Sequence, residues 1–160
     1  MEDARRDIGK DAVSYFNEGF NCAESVTKAL CEALMLGGRN AVKSATPFGG
    51  GIAGKGYLCG AVSGAMIALG LSKGRVSSKE DRGPCNKVAQ RFVQDFLNEF
   101  SSVSCRDIIG VDLNSAEGRK KHKEHLRNEK CCPVVRFAAE RMHDLIKSSS
   151  EALLDADSPR

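Results

Sequence analysis

The spacing of apolar positions predicts a chain of helices and no sheet. Ile8, Ala12, Phe16 and Phe20 recur every fourth residue, which predicts a first helix from about residue 3 to about residue 18 with one face inward. Gly19 loosens its end. Asn21 opens the next helix as its cap, Glu24 stands three residues on as a capping-box partner, and Ala23, Val26, Leu30, Ala33 and Leu34 form a stripe that runs up to Gly37 and Gly38. Residues 58–71 carry no charge, and Cys59 to Leu69 is apolar around its whole circumference, as expected of a central helix surrounded by others. A membrane span takes about 18 or more apolar residues, so this stretch reads as a buried core helix. Val88, Phe92, Val93, Phe96, Leu97 and Phe100 then describe a strongly amphipathic helix. Ser104-Cys105-Arg106-Asp107 repeats the capping-box pattern and opens a short helix through Ile109.

Between these elements lie the segments that periodicity does not claim. Residues 47–57 are so rich in glycine that they predict a loop using backbone conformations closed to other residues. Residues 72–85 read as a polar loop, and 112–130 as a solvated helix or mobile loop. Pro133 suits the first position of a last helix carrying Val134, Phe137, Ala138, Met142, Leu145 and Ile146, with Cys132 as its cap residue. The fold class expected is all-α: a compact bundle of about five to six helices around a central apolar helix at about 59–71. Residues 1–150 form a single domain in this reading, and 151–160 a disordered tail.

Composition narrows the function classes. With 160 residues, the chain is long enough for one domain to bury a core without disulfide staples. Its net charge of +3, the absence of Trp and only two Tyr argue against a nucleic-acid partner. The N-terminal MEDARRDIGK has no apolar signal region, which predicts a cytoplasmic protein. Seven cysteines in such a chain point to metal binding, catalysis or burial rather than a disulfide framework, and an odd number cannot pair completely.

The placement of those cysteines is the chemical signal. Cys22, Cys59, Cys105 and the pair Cys131/Cys132 each fall at or beside a predicted helix start, where the helix dipole favours a thiolate. Four such positions suggest one shared redox or metal centre. The competing reading, cysteine as a small buried hydrophobe, keeps weight because successive spacings of 9, 28, 26, 20 and 26 residues contain no C-x-x-C motif. A non-local site remains open to a bundle that gathers helix ends, since soft thiolates suit zinc or iron–sulfur clusters. Cys31 and Cys85 lack a capping or glycine context and read as structural. Cys132 is favoured over Cys131 because Pro133 sets it on a helix start, with Cys131 kept as a candidate. Gly60 and Gly64, one turn apart, predict close backbone packing or a bulky cofactor beside them.

Other motifs weigh less. Gly49 to Gly56 nearly matches the phosphate-cradling G-x-x-x-x-G-K-[ST], but Gly56 replaces the hydroxyl and no strand pattern precedes it, so a wall beside a cofactor is the better reading. His122 and His125 lie three apart within RKKHKEHLR, where charge predicts a solvated surface and no third ligand is near in sequence. The absence of C-x-x-C-H excludes covalent c-type haem by motif. No catalytic residue is assigned, and the sequence does not decide whether the protein is an enzyme.

At Asn21-Cys22-Ala23, Cys59-Gly60-Ala61-Val62-Ser63-Gly64, Cys105 and Cys132-Pro133, the chain resembles the bacterial and archaeal family of redox-active proteins named for its C, GCAxxG, C, C pattern. The resemblance spans about residues 5–146. It implies a helical redox domain with functional cysteines at Cys22, Cys59, Cys105 and Cys132, often encoded near transporter genes, with some relatives linked to haem or iron–sulfur chemistry. This chain lacks a haem segment, and Cys31, Cys85 and Cys131 exceed the minimal four. The expected function is electron transfer or redox sensing through an iron–sulfur cluster, the two-iron type favoured, with zinc as the alternative metal. A metal-free thiol–disulfide protein and a metal or metalloid carrier for a membrane transporter are the competing functions. The partners expected are a redox protein and a second copy of the chain in a homodimer.

Overall fold

In the computed structural model the described residues are 7–156, with side chains through 150; they form an all-α bundle in which no strand occurs. The chain order is α1 (Ile8–Glu18), α2 (Cys22–Ala33), α3 (Arg39–Ala45), a 3-10 turn (Thr46–Phe48), α4 (Gly60–Lys73), α5 (Gly83–Phe100), α6 (Cys105–Ile109), α7 (Ala116–Lys121), a π-helical segment (His122–Cys131) and α8 (Cys132–Ala156). The predicted first-helix start near residue 3 lies outside the described residues. So does the expected tail beyond Ala156, although α8 continues past Glu151 as far as that residue.

Local signals set most helix ends. Asp7 caps α1 by accepting from Lys10 N at 2.8 Å, and Gly19 closes it in a left-handed conformation at φ 114°. Asn21 and Glu24 form the reciprocal capping box: Glu24 N donates to Asn21 Oδ1 at 2.9 Å, and Asn21 N donates to Glu24 Oε2 at 2.8 Å. Thr46 Oγ1 donates to the other oxygen of Glu24 at 2.6 Å, tying the end of α3 to the start of α2. The periodicity did not reveal α3. It buries only Ala41 and Ala45, too little apolar surface to register as a stripe.

The central helix is α4, which packs against α2, α3, α5 and α8. Every residue from Gly60 to Ala65 is buried, so the N-terminal half of the helix turns no face to water, whereas Gly70 and Leu71 near its other end are exposed. Its glycines set the distance to α2. A Cβ on Gly60 would run into Cys22 Sγ and the Phe48 carbonyl, and one on Gly64 would run into the Ala23 carbonyl. Thr27 Oγ1, fully buried, donates across this contact to Gly64 O at 3.2 Å. Among the described residues no helix is long and apolar enough to cross a membrane.

The last third of the chain departs from expectation. Residues 116–156 run as one uninterrupted helical rod, so Pro133 lies inside a helix rather than at its beginning. A proline in that position lacks a backbone donor and its ring crowds the carbonyl four residues back. The ten residues before Cys132 adopt the wider π-helix, whose bonds reach five residues back; Cys132 N donates to Arg127 O in this way. The widened turns accommodate the proline without breaking the rod.

Candidate functional site

Four chain segments converge on one cavity of about 110 Å³. Cys22 from the first turn of α2, Cys59 from the cap position of α4, Cys105 from the first turn of α6 and Cys131 from the end of the π-helical segment all line it. His122 and Arg127 of the π-helical segment also reach it. Phe16, Ile108, Leu113, Val134 and Val135 supply much of the remaining wall, which carries no carboxylate.

The glycine-rich loop holds these parts in register. Gly50, Gly51, Ile52, Ala53, Gly54 and Gly56 all have positive φ, and at Gly51 a side chain would also strike Tyr57 N and Cys105 Cβ, each at 2.6 Å. The amides of Gly54, Gly56 and Tyr57 bond to Gly49 O, Gly50 O and Gly51 O, so they are engaged within the loop rather than free to cradle a phosphate. Outward, Cys105 N donates to Tyr57 O at 2.6 Å, Arg106 N to Gly56 O at 3.1 Å, and Cys59 N to Val103 O at 2.8 Å. These bonds lock the starts of α4 and α6 side by side. Ser104 completes the arrangement by capping α6, its Oγ accepting from Asp107 N at 3.3 Å.

The electrostatics correct the expectation that helix starts would leave these thiols ionised. Burial pushes the Cys22 thiol up, although the amides of Gly50, Ala23, Cys22 and Gly60 pull against it. Cys59 is driven strongly upward by burial and by Cys22, against the opposing amides of Ala61 and Val62. Cys105 is pushed up to about 11 by burial and then by Cys22. Cys131 rises to about 12 through burial and the neighbouring sulfurs, with Arg127 opposing. An apolar cavity desolvates charge more than the helix ends compensate, so the bare thiols stay protonated.

The vicinal pair divides. Cys131 lines the cavity, whereas the Cys132 thiol turns to Asn128 Oδ1 at 3.9 Å, outside the cavity wall. Cys31 is buried within α2, and neither it nor Cys85 borders the cavity. All seven cysteines are free thiols. Gly60 and Gly64, expected to mark close backbone packing or a cofactor, pack against α2, and Gly60 makes the room that the Cys22 sulfur occupies.

The sequence places His122 and Arg127 in a charged run expected to be solvated, whereas both border the cavity. His122 Nε2 lies 3.3 Å from Cys131 Sγ, and burial followed by Arg127 holds its imidazole below the usual histidine range, toward the neutral form. Arg127 donates to the Phe16 carbonyl and lies over the Phe16 ring, 3.7 Å from its centroid. The helix register explains the pairing. Nine residues make 2.5 turns of an α-helix, which would put positions 122 and 131 on opposite faces. With five-residue bonding, nine residues make about two turns and the two side chains meet. The sequence carried no signal of this register, since Pro133 reads there as the start of a helix.

Fold and site together define an all-α protein with a buried multi-thiol centre. The chain belongs to the C_GCAxxG_C_C family, described as "putative redox-active protein", whose model matches residues 20–145. It is 32% identical over 138 residues to an uncharacterized protein of Archaeoglobus fulgidus, an alignment covering 78% of this chain and 88% of that one. No solved structure matches the chain.

Proposed function

We propose that Cys22, Cys59, Cys105 and Cys131 together hold an iron–sulfur cluster, through which the protein transfers or senses electrons. The observation that carries this reading is the convergence of four thiols, from four separate segments, on one apolar cavity without carboxylates. Thiolates are the usual ligands of such clusters, and a bound metal deprotonates a thiol that would otherwise stay neutral. When bound, the cluster supplies a one-electron couple. The chain's own residues exclude water through Phe16, Ile108, Leu113 and Val134, while Arg127 and the amides around Cys22 and Cys59 favour negative charge on the sulfurs.

Two alternatives are less well supported. Among the described residues no three Cys, His, Asp or Glu side chains stand close enough to hold one metal ion as placed, which weighs against mononuclear zinc. Metal-free thiol exchange starts from a thiolate, and burial keeps these four thiols protonated.

Anaerobic purification with iron and acid-labile sulfide analysis and visible absorption tests the proposal. The expected result is a coloured, iron-containing protein that loses both properties in Cys22→Ser, Cys59→Ser, Cys105→Ser and Cys131→Ser, and keeps them in Cys31→Ser, Cys85→Ser and Cys132→Ser. A protein still colourless and free of iron after reconstitution overturns it. Loss in Cys132→Ser with retention in Cys131→Ser overturns the choice between the vicinal pair.

A further inference from the structure

The contact between His122 and Cys131 asks for a role of its own. The two residues are brought together only by the π-helical register, on a wall otherwise made mostly of apolar side chains and thiols. A neutral imidazole offers one N–H donor and one bare nitrogen. Its Nε2 stands at 3.3 Å from sulfur, within hydrogen-bond reach for that larger atom. No carboxylate borders the cavity to compete for the ring.

We propose that His122 is a positioning residue of the centre: its imidazole hydrogen-bonds the Cys131 sulfur and raises the potential at which the centre accepts an electron from a one-electron donor. This deepens the cluster reading and rests on it. A hydrogen bond donated to a ligating sulfur withdraws negative charge from it, which stabilises the reduced, more negative state relative to the oxidised one. The same contact acts in the metal-free protein. There the imidazole, with Nε2 3.3 Å from Cys131 Sγ, gives that sulfur a hydrogen-bond partner on an otherwise apolar wall and favours its reaction with an electrophile.

The test uses the full chain with His122→Leu, which refills the volume with apolar atoms, and His122→Gln, which restores a donor. In protein reconstituted with iron and sulfide, dithionite titration followed by visible absorption should give a lower midpoint potential for His122→Leu and a partial return for His122→Gln. In metal-free protein, iodoacetamide labelling read by peptide mass spectrometry should be slower at Cys131 in His122→Leu, with labelling at Cys105 little changed. An unchanged potential in folded, reconstituted His122→Leu would overturn the proposal, whatever the labelling shows. If the wild-type chain takes up no iron, the cluster reading fails separately, and the potential-raising role falls with it; the labelling then decides whether the contact itself acts on Cys131. Circular dichroism checks folding, and His122→Ala replaces the leucine variant if that variant loses its helical signal.

Discussion

The seam between α5 and α8 and the cysteine cavity are both buried, yet they are built on opposite plans. In the seam Phe96 lies at the centre of an aromatic group, with ring centroids 4.9 Å from Phe100, 6.0 Å from Phe92 and 6.1 Å from Phe137. Phe100 meets Phe137 edge to face at 5.3 Å. Protein atoms fill that space, and the helices are positioned by side chains. The cavity instead is framed by backbone: the capping box of α2, the glycine loop bonded to itself, and the amide bonds from Cys59, Cys105 and Arg106. Side-chain packing gives the bundle its stability, whereas backbone hydrogen bonds give the thiols their positions. Damage to one region should therefore have a different signature from damage to the other.

The largest stability loss should come from the seam. Phe96 is fully buried, and Phe96→Ala should cost about 3–5 kcal/mol in chemical denaturation. Where the variant remains folded, its iron content per chain should match wild type. Gly60→Ala should reverse the pattern. Its new Cβ must displace Cys22 Sγ or the Phe48 carbonyl, an overpacking cost of about 1–3 kcal/mol, and uptake of the proposed cluster on reconstitution should collapse. If Phe96→Ala lost metal at full folding, or Gly60→Ala kept it, the division between the two regions would not hold.

The same division decides what could be read from the sequence. The stripe Val88, Phe92, Phe96 and the box Asn21/Glu24 were legible because each depends on residues within a turn or two of one another. The family pattern and the helix starts pointed to Cys22, Cys59 and Cys105, all of which border the cavity. The sequence ranks Cys131 behind Cys132 and places His122 on a solvated surface, because the orientation of both depends on a π-helical register that α-periodicity does not describe. Pro133 suggested a helix start by its usual preference, and the rod absorbed it instead. The thiol ionisation expected from helix dipoles reversed for a related reason: desolvation is set by what surrounds a sulfur in space, and Ile108, Leu113 and Val135 come from distant parts of the chain.

The smallest predicted effect lies at the edge of the seam, where α5 and α8 are joined by charge. Asp95 Oδ2 accepts from Arg141 Nε at 2.7 Å and pairs with its Nη2 at 2.6 Å, while Arg91 Nε donates to Oδ1 at 3.1 Å. Burial works against the carboxylate, but the two guanidinium groups outweigh it and hold Asp95 below the ordinary aspartate range. A depressed folded value means that the contribution is complete above the unfolded value of about 4 and disappears as pH falls through the folded one. Because both partners keep some exposure to water, Asp95→Asn should cost only about 1 kcal/mol at pH 7. Urea denaturation at pH 7 and pH 3 checks the sign: the wild-type advantage should narrow at the lower pH. An equal advantage at both would mean that the ion pair adds nothing, and that aromatic packing alone holds α5 to α8.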